Sequence, residues 1–181
     1  GVMAGRRSPD GAETGALERA VLDGLDAALD GLAAARRAEG AAIATALGAI
    51  LDRIAERRAE AEAAHDAQAA AAPQRLREKV AALLEAGAEI GEDRLAQELA
   101  LIAVRQDVRE ELDRLVAHLD AARALLREGG AVGRRLDFLA QEFNREVNTL
   151  CSKSASQPLT EAGLALKVLV DQLREQAANL A

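Results

Sequence analysis

Apolar residues recur at three- and four-residue steps along nearly the whole chain, and no stretch alternates with period two. That pattern predicts an all-α protein. A first helix is expected from about residue 15 to 37, with Leu17, Val21, Leu25, Leu29 and Leu32 on one stripe. Glu39-Gly40 reads as a break, since Gly costs ~1 kcal/mol in a helix interior. From Ala41 the heptad-like series Ile43, Leu47, Ile50 and Ile54 runs into an Ala/Glu/Arg-rich stretch ending near Ala72. That stretch has little to bury and reads as one arm of an antiparallel coiled-coil hairpin. Pro73 suits the first turn of the next helix, which carries Leu76, Val80, Leu83 and Leu84 and stops at Gly87.

A turn is expected at Glu89 to Glu92, then helix from about Asp93 to Arg127 with an irregularity at Arg105–Asp107. Gly129-Gly130 carries a glycine stop signal. A helix from Val132 to Leu150 follows, then a polar loop from Ser152 to Pro158 and a last helix with Leu164, Val168, Leu173 and Leu180. The fold class is therefore an extended all-α bundle with a long antiparallel coiled-coil-like hairpin arm. Its organisation reads as a tail over 1–14, a helical arm over 15–90 and a C-terminal helical domain over 91–181.

The helix after Gly133 carries unusual chemistry. At ~100° per residue, Leu136, Leu139, Phe143, Val147 and Leu150 share one face. Asp137, Gln141, Asn144 and Asn148 share another, spaced i, i+4, i+7, i+11. The chain holds three asparagines and two stand in this stripe, although Asn is a mediocre helix former. Upstream, Asp107, Glu111, Arg114 and His118 repeat the same spacing along the flank of an expected buried face of Leu101, Val108, Leu112, Leu115, Leu119 and Leu126. Two carboxylates, an arginine and an imidazole on one edge suit divalent-cation binding or proton transfer. Set against the Asp137/Gln141/Asn144/Asn148 stripe, that edge would form a polar cleft. Two plainer readings compete: Glu–Arg pairs as ordinary helix-surface chemistry, and the amides as a hydrogen-bond network between helices. His65, in the Ala-rich arm, reads as solvated, and Cys151 has no neighbouring base to mark it as a nucleophile.

Composition narrows the classes. The net charge is -7 and aromatics are 1%, Phe138 and Phe143. Acidic groups outnumber basic ones in both halves, which argues against a generic nucleic-acid surface and against base-stacking platforms. Any RNA contact must be a local patch. A single cysteine rules out an intrachain disulfide and suits a reducing compartment. Charges interrupt every apolar run well short of ~20 residues, so no membrane-spanning helix is expected. Ala-rich faces bury little area, so stability is expected to come from partners or oligomerisation. The opening Gly in place of Met reads as the sign of a piece of a longer protein.

The run GRRLDFLAQEFNREVNTLCSKS, residues 133–154, resembles the C-terminal signature of the YicC/YloC-like family of bacterial endoribonucleases. Gln97-Glu98-Leu99-Ala100-Leu101 with Arg105, Asp107, Glu110-Glu111-Leu112, Arg114-Leu115 and His118 is similar to that family's second motif. Arg36 with Glu39-Gly40 resembles its helix junction. Leu166-Lys167 through Arg174-Glu175-Gln176 and Asn179 resembles its closing helix. Two positions depart from the pattern: Cys151 stands for a smaller residue and Ala181 for an acidic one.

The resemblance implies a metal-dependent endoribonuclease that cuts single-stranded RNA in the cytoplasm and takes part in small-RNA turnover. It also implies a homo-oligomer, a hexameric ring, and an N-terminal half not present in this chain. The expected catalytic residues are His118, Glu111, Asp137 and Glu142. Glu98, Glu111, His118 and Asp137 are the expected ligands of a divalent cation, Mn or Mg. Arg114, Arg134, Arg135, Gln141, Asn144, Arg145, Asn148 and Lys153 are the expected RNA contacts. The alternative from another class is a non-catalytic helical scaffold or oligomerisation module.

Overall fold

The structure, a computed structural model, describes residues 11–85 and 91–180. The described residues form five helices: α1 (Gly11–Glu85), α2 (Glu92–Arg105), α3 (Arg109–Glu128), α4 (Gly133–Lys153) and α5 (Gln157–Ala178). No strand occurs among the described residues, so the all-α expectation holds. No helix among them is long and apolar enough to cross a membrane. The expected stop at Gly87, the turn's first residues Glu89-Ile90, Ala181 and most of the expected tail lie outside the described residues.

Helix α1 continues through both of its expected breaks. At Gly40 the ~1 kcal/mol glycine cost is outweighed by neighbouring Ala and Glu, which are strong helix formers. Pro73 removes one amide donor and crowds the preceding turn. There the Arg75 guanidinium reaches back to donate to the Gln68 carbonyl at 2.8 Å, in the turn where Pro73 weakens the ladder. The chain therefore does not turn at Pro73, and the antiparallel neighbour of residues 52–68 is α3. Arg123 meets Asp52 at 2.7 Å, Arg58 donates to the Leu112 carbonyl at 3.2 Å, and Arg109 meets Glu62 at 2.6 Å.

Two compact units divide the chain, one up to Ala42 and one from Ile43 to Ala181. In the first, Leu17, Val21, Leu22, Leu25, Leu29 and Leu32 are all more than half exposed. In the second, Leu47, Leu51 and Ile54 of α1 join Val108, Leu112, Leu115, Leu136, Phe143, Val147, Leu150, Leu159, Leu166 and Leu173 in one core. The heptad seam of α1 then turns polar: Arg58, His65 and Gln68 follow at the same register, around buried Ala61. His65 is accordingly not solvated. Its side chain is 12% exposed, with Nε2 3.8 Å from Asp107.

Asp107 lies in the break between α2 and α3, foreseen at Arg105–Asp107, and accepts a bond from the Arg109 amide at 2.9 Å. The break between α3 and α4 uses Gly129 and Gly130, both at positive φ of 69° and 71°, where a side chain would strain the backbone. In α5 the buried face is Leu159, Leu166, Leu169, Val170 and Leu173. Leu164 and Val168, and Leu101 on α2, point outward, against expectation.

Candidate metal centre

Helix α4 has an apolar stripe with two polar flanks, each about 110° from its centre on a 100° wheel. One flank is the expected Asp137, Gln141, Asn144 and Asn148. The other is Glu142, Glu146, Thr149 and Lys153, at the same i, i+4, i+7, i+11 spacing. This second flank faces α3. Lys153 bonds Glu111 at 2.8 Å and Glu146 pairs with Arg114 at 3.4 Å. Glu142 and Glu146 meet His118. Rising numbers on α3 meet falling numbers on α4, so the two helices run antiparallel across the short glycine loop.

His118, Glu142 and Glu146 each offer a ligand atom, and these atoms lie within 4.8 Å of one another. Small side-chain adjustments would close that separation to the ~3–4 Å spacing of ligands around one ion. His118 and Glu142 are half-buried, and Glu146 is 3% exposed. The His118 ring is fixed edge-on against Phe143, with centroids 5.5 Å apart and planes at 66°. Its Nε2 is buried with no hydrogen-bond partner. An orphaned imidazole nitrogen is costly in a folded core, and a cation would satisfy it. One imidazole and two carboxylates suit a divalent ion that accepts mixed nitrogen and oxygen ligands, Mn²⁺ among them.

Two cations border the cluster. Arg114 donates to Glu110 at 2.5 Å, one turn back on its own helix, and reaches Glu146 at 3.4 Å. Glu110 first, then Glu146, raise the guanidinium pKa and keep it charged. Lys153 holds Glu111, whose side chain is 7% exposed and whose Oε2 is buried without a partner.

Of the four residues expected to hold a metal, the cluster contains His118 alone. Asp137 is on the other flank, where it accepts from Gln141 at 3.0 Å and lies 3.6 Å from Arg174 of α5. Asn148 donates to Asn144 at 2.9 Å and accepts from Lys167 of α5 at 3.1 Å. The amide stripe thus borders α5, and the residues that meet the His118 edge are Glu142 and Glu146 instead. The stripe has two flanks to choose from, and α3 packs on the acidic one. Glu111 is tied to Lys153 outside the cluster, and Glu98 is exposed on α2.

Among the expected RNA contacts, Arg135 pairs with Glu128 at 2.6 Å. Arg134 and Arg145 are exposed on the outer side of α4. The residue that sequence reasoning missed is Glu146. Its signal was the second i, i+4, i+7, i+11 series, which reads as ordinary surface charge until α3 covers it. At Cys151, burial pushes the thiol pKa up against the pull of Lys167, which makes it a poor nucleophile.

The profile of the family described as "Endoribonuclease YicC-like, C-terminal" matches residues 49–181. The chain is 54% identical over 87 residues to the "Probable endoribonuclease YicC" of Haemophilus influenzae, a match covering 48% of this chain and 30% of that protein. It is 35% identical over 107 residues to the protein of the same name from Clostridioides difficile, covering 59% of this chain and 36% of the relative. The chain spans about a third of the length of these curated relatives.

Proposed function

The chain belongs to the YicC-like endoribonuclease family, and from that premise we propose that it is the metal-holding helical portion of an enzyme that cleaves single-stranded RNA. The observation that carries this reading is the His118–Glu142–Glu146 cluster with its orphaned imidazole nitrogen. Glu142 and Glu146 would hold the cation, and His118, oriented by Phe143, would complete the ligand set or move a proton at Nε2. The chemistry a divalent ion would supply there is Lewis-acid stabilisation of the charge that builds on phosphate oxygens during cleavage. Arg114, half exposed beside the cluster, meets the scissile phosphate. Arg134 and Arg145 contact phosphates further along the strand. The reading extends to Mn²⁺ or Mg²⁺ as the ion, small-RNA turnover as the role, the cytoplasm as the site of action and a homo-oligomer, a hexamer, as the working form. The exposed leucine stripe from Leu17 to Leu32 supports the oligomer, because apolar surface on this scale marks interfaces.

The test pairs Mn²⁺ titration with cleavage of a single-stranded RNA for wild type, His118→Ala and Glu146→Gln. Loss of both uptake and cleavage in the variants, with the helical circular dichroism signal intact, is the expected result. Unchanged cleavage in folded variants removes the site. A second reading, a non-catalytic helical scaffold, is favoured by one observation: the amide stripe satisfies its own bonds along the α4–α5 edge. No cleavage by wild type with either ion would leave that reading standing.

A further inference from the structure

Arg114 stands where the cluster needs a positive charge. Glu146 is 3% exposed, and a carboxylate removed from water to that degree requires a compensating cation. Arg114 provides it, but loosely. Its Nη1 lies 3.4 Å from Glu146, whereas Nη2 lies 2.5 Å from Glu110. Strong charge-assisted bonds of this type run ~2.7–2.9 Å. The Arg114 side chain is 50% exposed and that of Glu146 is 4% exposed. The guanidinium therefore spans the lip of the cluster, with one edge over a buried carboxylate and the rest facing solvent.

We propose that Arg114 is an internal stand-in for the divalent cation: ion uptake by His118, Glu142 and Glu146 displaces it from Glu146 and frees it to bind a phosphodiester of single-stranded RNA. This rests on the metal-site reading above and adds an order to it, ion first and phosphate second. A carboxylate oxygen engaged with an ion is no longer available to the guanidinium, and a divalent charge a few ångströms away repels it. The remaining pair with Glu110, whose side chain is 67% exposed, is too solvated to hold the fork against a phosphate. Lys153 does not share this role, because its partner Glu111 is outside the cluster and their 2.8 Å bond is close. The coupling is reciprocal: a bound phosphate that keeps Arg114 away from Glu146 also tightens the ion.

The experiment measures Mn²⁺ affinity by electron paramagnetic resonance for wild type and Arg114→Ala. Arg114→Met, which keeps the stem volume, serves as the second variant should the alanine form not fold. A non-cleavable 2′-O-methyl oligonucleotide, followed by fluorescence anisotropy with and without Mn²⁺, reports the anion side. Losing the competing guanidinium is expected to tighten Mn²⁺ by about fivefold. Wild type should bind the oligonucleotide more tightly with Mn²⁺ than without it, and that gain should vanish in the variant. Equal or weaker Mn²⁺ binding by the variant, beside wild type that takes up the ion, overturns the stand-in role and leaves the metal site intact. Wild type that takes up no Mn²⁺ overturns both.

Discussion

Lys153 Nζ donates to Glu111 Oε1 at 2.8 Å, bonding the last turn of α4 to the first turn of α3. The other carboxylate oxygen of Glu111 is buried without a partner, so the ammonium is the one cation that forms an ion pair with this buried side chain among the described residues. Removing one member of such a pair leaves an uncompensated buried charge. Lys153→Met is expected to destabilise the fold by about 2–3 kcal/mol in urea denaturation, below the fully buried case because the lysine is partly solvated. Glu111→Leu combined with Lys153→Met should recover most of that loss. Two single variants that simply add in the double would show that the pair is not coupled.

Asp137 and His118 belong to different edges of the bundle, although each carries an acid or base on a helix of similar character. Asp137 is 42% exposed in its side chain and lies 3.6 Å from Arg174, a solvated pair worth ~0–1 kcal/mol. Asp137→Asn is therefore expected to leave Mn²⁺ affinity unchanged and to lower stability by less than about 1 kcal/mol. Glu142→Gln, by contrast, should weaken Mn²⁺ binding by about tenfold or more, as loss of a charged ligand does. Parallel Mn²⁺ titrations check both. A large loss in Asp137→Asn would move the ion to the α5 side.

Much of this arrangement was legible from the chain. The stripe Leu136, Phe143, Val147 and Leu150 is buried as its spacing demands, and the glycine stop at Gly129-Gly130 holds. What escaped depended on partners distant in sequence. Glu146 looks like a solvated acid until Arg114, 32 residues away, and His118 close over it. His65 looks solvated until Asp107 arrives from the α2–α3 junction. Local signals also misled where neighbours outweighed them: Gly40 and Pro73 are helix breakers by type, yet each lies among strong helix formers. The choice between two polar flanks of α4 was set by which flank meets α3, and periodicity alone carries no such information.

The approach of α5 to α4 depends on Gly163. A Cβ placed there would lie 2.7 Å from Cys151 Sγ and 3.0 Å from Leu150 Cδ2. Both neighbours are packed, so the helices must move apart or the thiol must turn. Gly163→Ala is expected to cost about 1–3 kcal/mol, the usual range for overpacking, despite alanine's better helix propensity. Cys151→Ala in the same chain removes the nearer clash and should restore part of the loss. Thermal unfolding of the two singles and the double reads the coupling directly. A Gly163→Ala variant at least as stable as wild type would show that the contact yields freely.

Cys151 gives the pH dependence its sign. Burial raises the thiol pKa above its ordinary 9.0, and Lys167 opposes that rise without cancelling it. As pH climbs past 9, the unfolded chain loses this proton while the folded chain keeps it. The native state then binds more protons than the unfolded state, so stability falls with rising pH until the folded thiol also ionises. Below pH 9 both states hold the proton and the contribution is constant. The thiolate is the reactive form, so alkylation by iodoacetamide at pH 8 should be slower in the folded chain than for free cysteine. Lys167→Met removes the opposing charge and should slow it further. A folded-state rate equal to that of free cysteine would show that burial does not hold the proton on Cys151.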